Sequence, residues 1–105
     1  MLVLLEEARE GRVALTVPAT ALAQAMRSPA RQARLSRLIR QPEAQIEPLD
    51  APDASAVGLL LAGTDTTDIV DAHVAFCARR ADQVVVTSDP DDMRRLDPEL
   101  PLFVI

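Results

Sequence analysis

Residues 64–92 read TDTTDIVDAHVAFCARRADQVVVTSDPDD, and this stretch decides how the rest of the chain is interpreted. A polar loop leads into an apolar helix with Asp68 and Asp71 near its start, and a short VVVT strand leads into a loop with Asp89 and Asp92. A helix that packs back against the strand begins at the sheet edge where the strand ends. Because open α/β sheets place ligand crevices at that edge, the carboxylates are expected to converge there.

The spacing of these acids predicts a site for a hard divalent ion. Asp68 and Asp71 are three residues apart, so they share one helix face. Converging carboxylates raise one another's pKa unless a cation lies between them. Mg²⁺ is usually bound by one or two carboxylates together with water, which an all-oxygen cluster can provide.

Structural explanations of the same acids remain open. Asp68 alone could be a helix cap, and the TSDPDD loop could be only a turn followed by a cap. Asp71 is harder to explain in this way, because it lies a turn inside a buried helix. Burying a carboxylate without a partner costs several kcal/mol, so a cation or donor must face it. Thr87 and Ser88 are candidates for hydroxyls that orient the acids.

Length and composition predict one small domain over residues 1–105, with 49% hydrophobic residues and a net charge of −5. The chain has two Phe and neither Trp nor Tyr, so a surface that stacks nucleic-acid bases on aromatic rings is poorly supported. The negative charge also argues against a general polyanion-binding surface. All eleven cationic side chains are Arg, and many of them lie within residues 27–40.

Arg31 and Arg34 belong to this basic segment, in which arginines recur every three residues. That spacing places them along one flank of a helix. The flank could be a solvated basic face, or it could contact the phosphates of a nucleic acid. The sequence leaves both interpretations open.

Cys77 is the only cysteine, so an internal disulfide is impossible and a reducing cytoplasmic location is expected. In an apolar helix it is interpreted as a core residue rather than a nucleophile. His73, the only histidine, is likewise interpreted as a packing or surface residue. The opening MLVLL is too short for a signal peptide or a membrane span.

Hydrophobic periodicity predicts strands separated by helices, which is typical of a parallel sheet layered with helices. The first segment is predicted as a helix because its apolar residues recur at helical spacing. The predicted helices are 1–10, 18–26, 30–40, 54–62, 67–80 and 91–96, and the predicted strands are 12–17, 45–49, 84–87 and 102–105.

Four segments resemble the PIN domain, in the form carried by VapC toxins of bacterial toxin-antitoxin pairs. They are TVPATALAQ at 16–24, PARQARLSRLIR at 29–40, TDIVDAHVAFCARR at 67–80 and VVVTSDPDDMRRL at 84–96. The ordered series DxxDAxxA and then VVTSDPxD is the most specific part of the resemblance. It implies a PIN-like α/β fold in which a parallel sheet is layered with helices.

The resemblance also implies an Mg²⁺- or Mn²⁺-dependent endoribonuclease. Asp71 and Asp89 would be its catalytic metal-site acids, with Asp68 and Asp92 beside them. Its partners would be an RNA substrate, a cognate antitoxin and a second copy of the chain.

Two departures from the family pattern lead to further expectations. The family begins with a central strand that ends in a metal-site Asp, whereas this chain is expected to start after that strand, at an internal Met. The sheet would then lack its first central strand, unless the neighbouring strands pair directly or another chain donates one. Gln24 also takes the place of a frequent Glu and is expected to be a diminished ligand. Impaired activity would follow.

Two rival functions follow from the same residues. A non-catalytic interaction or oligomerisation module would use the helix around residues 27–40 and an exposed sheet edge, without any need for metal. A receiver-like phosphoacceptor domain would also use acidic loops at strand ends. The absence of Lys from the whole sequence argues against this second rival.

Overall fold

The computed structural model describes the backbone of residues 3–7 and 13–105, and the side chains of 15–33, 36, 37 and 39–105. In this part of the chain, five strands form one sheet in the order β3-β2-β1-β4-β5, and helices pack against it. The strands are β1 (Val3–Glu7), β2 (Val13–Pro18), β3 (Ala44–Glu47), β4 (Val84–Thr87) and β5 (Leu102–Val104). The helices are α1 (Ala19–Met26), α2 (Pro29–Leu38), α3 (Ala51–Ala62), α4 (Ile69–Ala81) and α5 (Pro90–Leu96).

The helix predicted over residues 1–10 is wrong, because Val3–Glu7 is the central strand of the sheet. Strand β1 lies between β2 and β4 and is antiparallel to both. Only residues 8–12 connect β1 to β2, and a parallel pair would need a crossover of about a dozen residues or more. The chain therefore turns straight back, and neither direct pairing of β2 with β4 nor a donated strand occurs.

The direction of β1 makes the sheet mixed rather than fully parallel, which corrects that detail of the expected architecture. Strand β2 is parallel to β3, and β4 is parallel to β5. These four strands run the same way, because β2 and β4 are both antiparallel to β1. Their carboxyl ends lie at one edge of the sheet, whereas β1 ends at the opposite edge. The α/β layering that was predicted is confirmed.

Helix α4 forms the centre of the helical layer, as its apolar sequence predicted. It packs against α1, α3 and α5 and against the three central strands. Ala72, Val74 and Cys77 are fully buried together with Val85 of β4 and Met93 of α5, so α4 is enclosed on more than one side. The packing of α4 against the sheet sets where its first turn lies.

Local sequence signals explain where the helices begin and end. Helix α3 begins three residues earlier than predicted, because Asp50 accepts the Asp53 N–H at 3.0 Å and Pro52 suits the first turn. Gly63 ends α3, as the sequence predicted. Helix α4 ends at Asp82, which adopts the left-handed conformation with φ 54°. The remaining boundaries lie within about two residues of prediction.

The carboxyl end of α4 is tied to the rest of the fold through Arg80. Its guanidinium donates to Asp53 at 2.9 Å and to Glu47 at 2.8 Å, and it lies over the Phe76 ring at 4.8 Å from the centroid. These contacts join α4 to α3 and β3. No helix in the described part of the chain is long and apolar enough to cross a bilayer.

Candidate functional site

An open cavity of about 240 Å³ lies where β4 ends and α4 begins. Because α4 follows the strands in the opposite direction, its first turn reaches the sheet edge at which the loop after β4 emerges. The cavity is lined by six residues that the sequence singled out at this edge: Asp68, Asp71, Thr87, Ser88, Asp89 and Asp92.

Asp71 is the electrostatic centre of this cavity. Burial, together with the negative charges of Asp68, Asp92 and Asp89, raises the pKa of its carboxyl from 3.8 to about 6. The carboxyl is half-buried in the first turn of α4. A raised pKa is expected of an acid that is partly removed from water and also faces other acids.

Asp68 serves as a helix cap and also faces the cavity. Its side chain accepts the Asp71 N–H at 3.0 Å, which caps α4, and its own N–H donates to the Thr66 hydroxyl at 3.2 Å. The two interpretations of Asp68 are thus compatible. The cap fixes the position of Asp68 relative to Asp71, because the bond joins the two residues directly.

The loop after β4 leads into α5, and the Asp89 side chain in it is not used to cap that helix within the described structure. Asp89 occupies the N-cap position of α5, yet its side chain makes no capping bond to the described backbone. The buried Thr87 hydroxyl instead accepts the Asp89 N–H at 2.9 Å and orients the loop. Interaction with Asp89 raises the pKa of the Asp92 carboxyl. Both residues line the cavity.

The carboxylates of the cavity suit a hard divalent ion, although they do not form a complete set of protein ligands. Among the described residues, no three acidic, His or Cys side chains are already close enough together to hold a metal. A site for Mg²⁺ needs only one or two carboxylates, since water fills the remaining positions. Asp71 with Asp89 could supply them, since both line the cavity together with Asp68 and Asp92. Strand β1 brings no carboxylate to this edge, because its carboxyl end lies at the other.

Two further predicted residues lie on the walls of the cavity. Gln24 of α1 and Arg31 of α2 both line it, and both side chains are exposed. The side chain of Arg34 lies outside the described part of the structure. Arg31 thus adds a positive charge to a cavity that is also lined by four acids.

The sequence did not reveal a buried contact beside the site, between His73 and Thr20. The imidazole Nδ1 lies 2.7 Å from the Thr20 hydroxyl, and His73 is fully buried. Burial lowers the pKa of His73, and the backbone carbonyl of Pro48 offsets part of this effect. The only available signal was that a lone His in an apolar helix must find a partner. This contact joins α1 to α4, which form two walls of the cavity.

We expect Thr20→Val to lower the free energy of unfolding by about 1 to 3 kcal/mol, because the buried imidazole nitrogen loses its partner while the side-chain volume is kept. Urea unfolding at pH 7.5 measures this change. The control is Thr67→Val, since Thr67 is exposed. Equal, small changes in the two variants would show that the buried bond contributes nothing to stability.

Cys77 is fully buried in the core, where burial raises the pKa of its thiol to about 11. A thiol that stays protonated at neutral pH is a poor nucleophile. The interpretation of Cys77 as a core residue is therefore confirmed.

Comparison with known proteins agrees with this architecture. The family model for the PIN domain matches residues 4–98, which is nearly the whole chain. No curated protein and no solved structure has significant similarity to it. The match includes every acid of the cavity, and it excludes the receiver-like alternative. The chain belongs to the PIN domain family.

Proposed function

We propose that the carboxylate cavity is the centre of an Mg²⁺- or Mn²⁺-dependent endoribonuclease. PIN domains are generally nucleases, and they generally use divalent metal ions. The observation that carries the proposal is that Asp68, Asp71, Asp89 and Asp92 line one cavity. The raised pKa of Asp71, due to burial and to these neighbouring charges, agrees with it. A divalent cation is the species that best relieves this accumulation of charge.

Each residue has a role in this proposal. Asp71 and Asp89 would hold the ion directly, and Asp68 and Asp92 would add negative charge beside them. The Thr87 hydroxyl orients the loop that carries Asp89. An ion held there would supply an activated water as the nucleophile for phosphodiester hydrolysis.

Ser88 and Arg31 complete the proposed site. Ser88 precedes Asp89 at the cavity and can orient the carboxylate or a bound water through its hydroxyl. Arg31 lines the same cavity and can contact a substrate phosphate, and Arg34 extends the same basic helix. The substrate would therefore span the acids and the basic helix.

The biological setting is proposed from the VapC-like segments alone. The chain would be a toxin of a toxin-antitoxin pair that cleaves RNA in the cytoplasm. It would act as a homodimer and would be inhibited by a cognate antitoxin. The ordered motifs at residues 67–80 and 84–96 support this assignment.

A non-catalytic interaction module is the second candidate, and two observations favour it. The described residues hold no preassembled group of three metal ligands, and β1 ends at the wrong edge to add another. Such a module would keep the PIN fold while binding a partner without metal.

A thermal-shift titration separates the two candidates. We expect saturating Mn²⁺ or Mg²⁺ to raise Tm relative to EDTA, because an ion at about 100 times its Kd stabilises a fold by about 2.7 kcal/mol. Cleavage of end-labelled single-stranded RNA, with and without EDTA, is measured on the same preparation. A metal-independent Tm without cleavage would favour the interaction module, and a metal-dependent Tm without cleavage would contradict the ribonuclease.

A further inference from the structure

A second groove, of about 330 Å³, adjoins the carboxylate cavity between α1 and the start of α4. Its lining residues are Thr20, Ala23, Gln24, Arg27 and Val70. Gln24 and Val70 line the cavity as well, so the two spaces are neighbours along a shared wall. A molecule held by the acids would therefore extend naturally into the groove.

The groove combines small apolar walls with two polar groups. Ala23 and Val70 provide the apolar surface, and the Thr20 hydroxyl already bonds to the buried His73 at 2.7 Å. The exposed amide of Gln24 and the guanidinium of Arg27 remain as groups that can recognise a ligand. An amide offers one donor and one acceptor side by side, which matches the edge of a nucleobase.

We propose that the groove binds the nucleobase next to the scissile phosphate of a single-stranded RNA, and that Gln24 reads the edge of that base. The inference rests on the proposed ribonuclease function. Single-stranded RNA presents unpaired base edges, which proteins read by hydrogen bonding. The bidentate partner of a glutamine amide is most often adenine, through its N6 and N7 atoms. Adenine is therefore the expected base.

Charge complementarity supports a nucleotide as the occupant. Arg27 lines the groove and Arg31 lines the cavity, so each of the two spaces that share Gln24 has one positive charge. The phosphates on either side of one base would meet these two guanidiniums. The base itself would then face Ala23 and Val70, whose aliphatic groups suit the face of a flat ring.

This assignment differs from a ligand role for Gln24. A ligand would contribute to metal affinity, whereas a base-reading residue contributes to the choice of RNA sequence. Substituting Gln24 with Leu removes both polar atoms and keeps a similar size at an exposed position. If Gln24 is a ligand, this variant should lose metal affinity and keep its sequence preference. If Gln24 reads a base, the variant should keep its metal affinity and lose its sequence preference.

The test is a cleavage profile on randomised single-stranded RNA in Mg²⁺, read by sequencing the product ends. We expect the unmodified chain to prefer adenine about tenfold at one position beside the cut, and Gln24→Leu to reduce that preference below about twofold, since one bidentate pair is worth about 1 to 3 kcal/mol. Mn²⁺ affinity, measured by calorimetry without RNA, should stay unchanged. Gln32→Leu is the matched control, because Gln32 is exposed on α2 and lines neither space.

RNA binding in EDTA provides a readout without cleavage. By fluorescence anisotropy, Gln24→Leu should bind oligo(A) and oligo(U) equally, whereas the unmodified chain should favour oligo(A). Arg27→Gln should weaken both ligands alike and lower the salt slope by about one.

The outcomes distinguish this inference from the proposed function. If the unmodified chain cleaves RNA but Gln24→Leu leaves the sequence profile intact, the base site is refuted and the ribonuclease remains. Loss of Mn²⁺ affinity in Gln24→Leu would also refute the base site, because it would make Gln24 a ligand. Absence of cleavage by the unmodified chain would instead remove the ribonuclease itself.

Discussion

Asp89→Asn is expected to lower kcat/KM for RNA cleavage by about 100-fold or more and to abolish the increase in Tm with Mg²⁺. Asp89 is exposed at the carboxyl edge of the sheet, and its side chain makes no capping bond to the described part of α5. Its charge is therefore available for a ligand rather than committed to the fold. Replacing one oxygen by an amide nitrogen removes that charge at nearly constant size.

Asp91→Asn is the matched control for this change. Asp91 is two residues away and exposed, and it forms a surface salt bridge with Arg94 at 3.5 Å. Its substitution makes the same change in net charge, but Asp91 does not line the cavity. A weak surface pair of this kind contributes little, so activity should stay within about twofold of the unmodified chain. Equal losses in the two variants would contradict a specific role for Asp89.

The sequence predicted the part of the fold whose signals are local. The helix-to-strand unit at residues 64–92 has strong apolar periodicity, cap residues and a β-branched strand, so α4, β4 and the acidic loops were placed correctly. The convergence of Asp68, Asp71, Asp89 and Asp92 on one cavity then follows from the antiparallel packing of α4 on the sheet.

Features decided by distant partners could not be predicted in this way. The apolar run at 3–5 suits a helix or a strand equally, and its pairing with β2 on one side and β4 on the other makes it a strand. The contact between Thr20 and His73 joins residues 53 positions apart, and nothing in the sequence selects that pair. The groove beside Gln24 lies between α1 and α4, which are also far apart in the sequence, so it too required the structure.

Asp71→Asn is expected to stabilise the metal-free protein at pH 8, whereas most substitutions at half-buried positions destabilise. The pKa of the carboxyl is raised from 3.8 to about 6, which for a fully buried group corresponds to about 3 kcal/mol. Solvent screening of a half-exposed carboxyl reduces the gain to roughly 1 kcal/mol. In EDTA the variant should melt about 5 °C higher than the unmodified chain.

The stability difference between Asp71→Asn and the unmodified chain should depend on pH in one direction. Well below the ordinary pKa of 3.8, the Asp71 carboxyl is protonated in both the folded and the unfolded chain, so its charge does not affect stability. As pH rises from about 4 to 6, the unfolded chain releases its proton first, and the unmodified protein loses stability relative to the variant. The difference in Tm should therefore grow across this range and level off above it.

Saturating Mg²⁺ should reverse the order of the two Tm values, so that the unmodified chain melts above Asp71→Asn. Saturating Mg²⁺ stabilises the unmodified chain because the ion binds the ionised Asp71, and the variant lacks that charge. Asp65→Asn is the control, since Asp65 is exposed and lies outside the cavity; it should follow the unmodified chain in both buffers. If Asp71→Asn melts below the unmodified chain in EDTA at pH 8, its carboxyl is stabilised by a partner within the fold, and the argument for an uncompensated charge at the cavity fails.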